Sequence, residues 1–351
     1  MFIVISILIF GLIIAIHELG HFLAARAFGV GVPEFAIGLG PVLLKKQGKE
    51  TAYTLRAIPL GGFCAMDGDD NEESGNKSLL KKPIWQRLII FVSGSVMNVI
   101  AGFIIVLILV SMMAFWQTPT LSGFAEGFEL EGEQGLLPGD RFHSIGGNRI
   151  FQHSNIPLFL YLETGDTVDI VVIRDGARVQ LDNLPLQPRM FEGSPYPRYG
   201  LYFYANTDPT LLDRLALSGN VTLDFMRQLP LTIRMFTTGQ AGMEDVSSVV
   251  GIVDIMNQVG TEAETTGLAV QRLMLITAII TISVAMINLL PIPGLDGGRI
   301  FLMLITAAVE KILRRKVDPK YEAYINMAGI ALLFGFMIFI LFQDIVQIIT
   351  R

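Results

Sequence analysis

An apolar run of bilayer length opens the chain, from Phe2 to Phe28, and it is interrupted by His17-Glu18-Leu19-Gly20-His21. About 20 apolar residues suffice to cross the hydrocarbon core, so the run predicts a membrane-spanning helix. On a helix, residues four apart share a face, and both imidazoles can then reach one metal ion. Glu18 points partly to the same side, where it can act on a water at that metal. Titratable side chains at membrane depth are costly and mark functional sites. The structural alternative is a pair of histidines hydrogen-bonded to neighbouring helices, and it has to carry the membrane cost of the glutamate.

Composition agrees with a chain that lives in lipid. Of its 351 residues 52% are hydrophobic and only 17% charged, with a mean hydropathy of +0.54. A soluble protein carries nearer a quarter charged residues. The class is therefore integral membrane protein with room for one small soluble domain. The net charge of −6 gives no basic footprint for nucleic acid. A single cysteine, Cys64, excludes an intrachain disulfide framework and a cysteine zinc knuckle. The first run lacks a basic n-region and a small-residue cleavage site, so it is expected to be a retained helix.

Four stretches reach spanning length: Phe2 to Ala25, Leu88 to Phe115, Leu268 to Leu290 and Ile325 to Ile349. Nine Lys and Arg fall between Arg26 and Arg87, and six between Arg299 and Lys320. The positive-inside rule then puts these connections in the cytoplasm and both termini and the middle segment outside. In that topology His17 lies about 22 Å from the start of its span, toward the cytoplasmic side. The third span ends at the same depth, in Asn288-Leu-Leu-Pro291-Ile-Pro293-Gly294-Leu-Asp296-Gly297-Gly298. Prolines and glycines stop the helix there. Broken backbone at membrane depth is tolerated where protein buries it or it lines a wet cavity. Asp296 is thus expected at the level of the two histidines.

The remaining segments divide the chain into 1–117, 118–205, 206–267 and 268–351. Phe35 to Leu44 and Glu50 to Ile58 are β-prone runs around Lys45-Lys46-Gln47-Gly48-Lys49. Two readings fit them, a surface hairpin or a re-entrant sheet whose open edge pairs with an extended chain. Asp67 to Lys82 is acidic and reads as a loop, and Gly94 and Asn98 in the second span read as positions of close helix packing or of a polar contact, packing being favoured. Between Thr118 and Ala205 the pattern is β-rich, with a helix at Asn155 to Glu163. A hairpin turn is expected at Asp175-Gly176, between Val168 to Arg174 and Val179 to Leu186. His143 and His153 lie here and are read as non-ligands. Leu211 to Thr238 is helical and amphipathic, with a break at Pro230, and either rests on the membrane or packs beneath the domain.

HELGH in the first span, NLLPIPGLDGG after the third and a Leu-Pro-Gly-Asp sequence between spans two and three together resemble the site-2 proteases. The likeness is to the bacterial RseP/RasP type with a single PDZ domain, and GMEDVSSVVGIVDIM at Gly242 to Met256 adds to it. Ser93-Gly94-Ser95 departs from the family, which often has proline after the glycine. The resemblance implies a four-helix membrane protein with a re-entrant β-hairpin region and one extracytoplasmic PDZ-like α+β domain. It implies that His17, His21 and Asp296 bind Zn2+, that Glu18 is the catalytic base, and that Asn288 holds the substrate backbone or the developing oxyanion. It implies that the early hairpin, with Gly38 and Gly40, pairs with substrate, Tyr199-Gly200-Leu201-Tyr202 being the candidate carboxylate loop.

The activity so implied is hydrolysis of peptide bonds in transmembrane segments, such as anti-sigma factors or signal-peptide remnants, at a bacterial cytoplasmic membrane. The middle domain acts as a size filter or as a reader of a trimmed end. Two other classes are weighed beside it. A silent membrane-anchored PDZ adaptor is disfavoured by the intact Glu18. A metal or ion transporter is disfavoured because the polar residues cluster at one depth.

Overall fold

The computed structural model describes residues 2–68, 77–163, 165–192, 195–242, 246–315, 317–318 and 320–350. Among these residues, four helical stretches are long and apolar enough to cross a membrane. They are α1 (Phe2–Ala27), α2 (Ile84–Met112), α6 (Thr266–Asn288) and Lys320–Val346 within α8 (Lys320–Thr350). The others are α3 (Asn155–Leu162), α4 (Leu211–Thr237), α5 (Val249–Thr261) and α7 (Asp296–Leu313). The spans are apolar all round, as lipid-facing helices are. On α2, Ile89, Val96, Ile100, Ile104 and Ile108 form an exposed stripe, while Ile90, Phe91, Ser95 and Asn98 are buried on the other side.

The chain forms two compact units, Met1–Val106 with Phe225–Arg351, and Leu107–Asp224. In the first, Phe10 and Ile13 of α1 pack with Met256 of α5 and with Leu273 and Ile280 of α6. A second core joins Ala25, Val32, Cys64, Ile90, Phe91 and Met303. Two 14-residue strands, β1 (Glu34–Gln47) and β2 (Ala52–Ala65), follow α1. Each is bent, and they pair in three runs. Residues 34–37 run parallel to 52–55 and antiparallel to 62–65, and 42–47 run antiparallel to 52–56. Positive φ at Gly38 (88°), Gly40 (81°) and Gly61 (112°) makes the bends.

The second unit is built on a six-stranded sheet. Its strands are β3 (Trp116–Phe124), β4 (Arg141–Ile145), β5 (Asn148–Arg149), β6 (Val168–Arg174), β7 (Ala177–Leu184) and β8 (Leu201–Asn206). Their order is β7-β6-β4-β3-β8, with β5 paired to β4. Phe142, Ile145, Phe159, Ile170 and Val172 fill the core under α3. Asp175 and Gly176 both have positive φ, 51° and 81°, as a type I′ turn requires. Arg174 donates through Nε and Nη2 to both oxygens of the buried Asp140.

Three local expectations are corrected. Pro230 does not break its helix: α4 runs through it from Leu211 to Thr237, at the cost of the hydrogen bond that the Met226 carbonyl would have received. The second span ends at Met112, short of Phe115. The connection after the third span is not open loop but the 18-residue α7, whose exposed Phe301, Leu304 and Ile305 give it an apolar side. Of the acidic loop Asp67 to Lys82, residues 69–76 lie outside the described residues, as do 243–245 of Gly242 to Met256.

Candidate metal centre

The two histidines reach their positions because α1 and α2 touch backbone to backbone. A Cβ on Gly20 would stand 2.3 Å from the Ser93 carbonyl oxygen. A Cβ on Gly94 would stand 2.4 Å from His21 Nε2 and 2.7 Å from His17 Cε1. Only glycine fits at either place. Asn98, one turn beyond Gly94, is fully buried, and neither amide atom has a hydrogen-bond partner among the described residues.

Asp296 arrives on the first turn of α7. Gly297 and Gly298 let that turn press onto the preceding loop, for a Cβ on them would stand 2.3 Å from the Leu289 oxygen and 2.1 Å from the Ile292 oxygen. Gly294, with φ of 100°, reverses the chain, and its N–H donates to Asn326 Oδ1 of α8 at 2.8 Å. Gly329 of α8 makes room for the Pro293 carbonyl.

The result is a triangle of donor atoms. Asp296 Oδ2 lies 3.0 Å from His17 Nε2 and 3.1 Å from His21 Nε2, and the two Nε2 atoms are 3.2 Å apart. Both histidines are buried. His21 Nδ1 donates to the Ile90 carbonyl at 2.8 Å. In the neutral ring Nε2 then carries a lone pair, and it faces a carboxylate oxygen and a second imidazole nitrogen. Two imidazole nitrogens and a carboxylate oxygen so arranged match the ligand set of one divalent cation. Metal bonds of about 2.0–2.1 Å in tetrahedral geometry separate ligand atoms by roughly 3.3 Å, close to the edges of this triangle. Among the described residues, His17, His21 and Asp296 form a group able to hold a metal ion.

A cavity of about 380 Å³ opens onto this triangle. Glu18 lines it, with its carboxyl group hydrogen-bonded by the Cys64 backbone of β2. Asn288, the last residue of α6, lines it too. Gly38 and Gly40 are at the bend of β1 and are not among the lining residues; the strand that borders the cavity is β2, at Gly61, Gly62 and Phe63. A Cβ on Gly62 would stand 3.4 Å from Glu18 Cγ, so the strand passes directly over the glutamate. Arg299 also lines the cavity and stacks on Phe91 at 5.7 Å. Its spacing of three from Asp296 on one helix was the available sequence signal for it.

Comparison with known proteins bears on this site. The model of Peptidase family M50 matches residues 5–336. "Putative zinc metalloprotease CPE1693" of Clostridium perfringens is 32% identical over 347 residues, 99% of each chain. "Regulator of sigma-W protease RasP" of Bacillus subtilis is 26% identical, over 97% of each chain. "Metalloprotease MmpA" of Caulobacter vibrioides is 26% identical over 96% of this chain and 93% of its own. A match that covers nearly the whole chain, with four spans and a buried donor triangle, makes this protein a member of Peptidase family M50.

Proposed function

We propose that this metalloprotease cleaves peptide bonds inside the membrane-spanning segments of other proteins, with zinc held by His17, His21 and Asp296. The observation that carries the reading is the mutual 3.0–3.2 Å approach of three atoms able to ligate a metal. When bound there, zinc supplies a Lewis acid that polarises the scissile carbonyl and lowers the pKa of water. Glu18, over the same cavity, takes the proton of the attacking water and passes it to the leaving amine. Asn288 offers its amide to the substrate carbonyl from the end of α6.

Substrate entry sets a second requirement. A transmembrane helix hides its carbonyls in i to i−4 hydrogen bonds, and each freed group costs several kcal/mol in lipid unless paired again. The bent β1–β2 sheet is the re-entrant element in this reading. Its Gly61–Phe63 edge provides partners by strand addition, next to Glu18. Gly38 and Gly40 serve the bend that brings that edge over the site. The 107–224 unit is the PDZ-like domain, with α3 and β8 flanking a groove at Tyr199, Gly200 and Leu201. It lies outside the cytoplasm, with both chain termini, and the site lies near the cytoplasmic side. Substrates are anti-sigma-type membrane proteins or signal-peptide remnants, a reading supported by the similarity to the regulator of sigma-W protease.

Co-expression with a tagged model membrane substrate tests the reading. The parent chain should release a product cut within the substrate's span, and Glu18→Gln should lower cleavage by 10²- to 10⁴-fold while zinc stays bound. Cleavage that survives Glu18→Gln would overturn it.

A further inference from the structure

The 107–224 unit holds a second polar cleft that the proteolytic site does not use. Its volume is about 480 Å³, and it is lined by Arg141, His143 and Arg149 on the sheet side and by Asp213 and Asn220 on α4, with Trp116 beside them. Strand register extends the cationic side: Arg141 pairs with Ile173, and Ile173 with Arg178. Asp213, the acidic lining residue, is engaged locally, accepting from the Thr210 N–H at 2.9 Å and its hydroxyl at 2.7 Å. Burial, then Arg149, Arg178 and Arg141, hold the His143 imidazole below its ordinary pKa, and Arg149 Nη1 donates to that ring, which fixes the guanidinium at the cleft.

The cleft is also fastened to the end of a span. Arg214, on the first turns of α4, donates to the Val110 carbonyl at 2.6 Å and to the Met113 carbonyl at 3.1 Å. These carbonyls lie on the last turn of α2 and on the residue just past it, and the guanidinium lies 5.9 Å from the centre of the Trp116 ring. Trp116 is four residues past Met112, hence within about 14 Å of the helix end. Phe115, Leu211 and Leu212 are 60%, 69% and 76% exposed, large apolar side chains on these same segments. Cations, a tryptophan and exposed apolar side chains at the foot of a span match the chemistry of the headgroup layer.

We propose that this cleft binds the phosphate headgroup of an anionic phospholipid from the leaflet at which α2 ends. Charge favours it, since Arg141 and Arg149 line the cleft beside a single, locally engaged lining carboxylate, and Arg178 stands two strands from Arg141 in register. Apolar neighbours favour a lipid over a free anion, which would have no use for them. Bound lipid would tie the sheet and α4 together at the membrane surface.

The two tryptophans of the chain allow a direct test. In a full-length Trp85→Phe background, Trp116 alone reports. Phosphatidylglycerol with brominated acyl chains should quench it saturably, at least about tenfold more tightly than brominated phosphatidylcholine. Arg141→Gln with Arg149→Gln should remove most of that selectivity, since one surface cation contributes roughly fivefold toward an anionic membrane. Both arginines are exposed, so the fold should survive their exchange. Arg178→Gln gives an independent several-fold loss, and Arg189→Gln, on the same unit but paired with Glu129, leaves selectivity unchanged. Equal quenching by the two lipids, or selectivity unmoved in the double variant, would overturn the proposal. So would displacement by equimolar inorganic phosphate, which marks a small-anion site.

Discussion

At the scale of single residues, Gly94 decides whether the two imidazoles can converge, though it contributes no atom to the triangle. A methyl group there would overlap His21 Nε2, which has no room to retreat while Nδ1 holds the Ile90 carbonyl. Gly94→Ala should therefore weaken zinc binding about 10- to 100-fold, the range for disturbing a ligand's support, and abolish cleavage with it. Gly219→Ala, where nothing lies within 4 Å, should change neither. Metal content after dialysis against a graded chelator reads the difference. A second residue-scale expectation concerns Glu34. Hydrogen bonds from Arg56 and then Thr54 hold its carboxyl below the ordinary pKa of 4.5. A folded-state pKa below the unfolded one contributes stability above about pH 4.5 that is lost as pH falls through the folded value. Amide exchange in the β1–β2 sheet, corrected for intrinsic rates, should speed up in that acid window, and Glu34→Gln should flatten the dependence. Much at this scale was legible in the chain itself. His17 and His21 declare themselves by spacing, and Asp296 by its depth beside a broken helix. The Ile90 carbonyl, Arg299 and the passage of Gly61–Phe63 over Glu18 were not, because each depends on which elements meet and no local pattern encodes that.

At the scale of elements, α5 shows how a short apolar helix is held against the one that carries the two histidines. Its Met256 packs on Phe10 and Ile13 of α1. Its start is capped twice: Ser248 Oγ accepts from the Val250 N–H, and Asp344 of α8 accepts from the Ser248 and Gly251 N–H groups at 2.6 and 3.2 Å. Asp344→Ala removes the charged half of this cap, at a cost of about 1 kcal/mol. Exchange of the α5 amides should quicken about fivefold while α6, capped by its own Thr265, stays protected. Spans and hairpins were readable because their periodicity is local. α7 escaped because its glycines announce a helix stop before they serve as its first turn. The run through Pro230 escaped because one lost hydrogen bond is tolerated in a helix whose Val221 and Phe225 are already buried.

At the scale of the whole molecule, the proposed cleavage requires the substrate to unwind first. A strand edge beside the site is useful only to a chain that has left its helix. Model substrates with Gly or Pro near the cut should therefore be cleaved faster than ones whose span is uninterrupted leucine, since Pro and Gly lower helix stability by about 3 and 1 kcal/mol. Equal rates for the two would contradict this part of the account. Everything else rests on three donor atoms, from α1 and from the turn into α7, closing on one ion. The measurement that meets this most directly is the zinc content of the purified full-length protein and its variants. One zinc per chain is expected in the parent and in Glu18→Gln, and little or none in His21→Ala or Asp296→Ala. Full zinc occupancy in Asp296→Ala, at parent affinity, would contradict it.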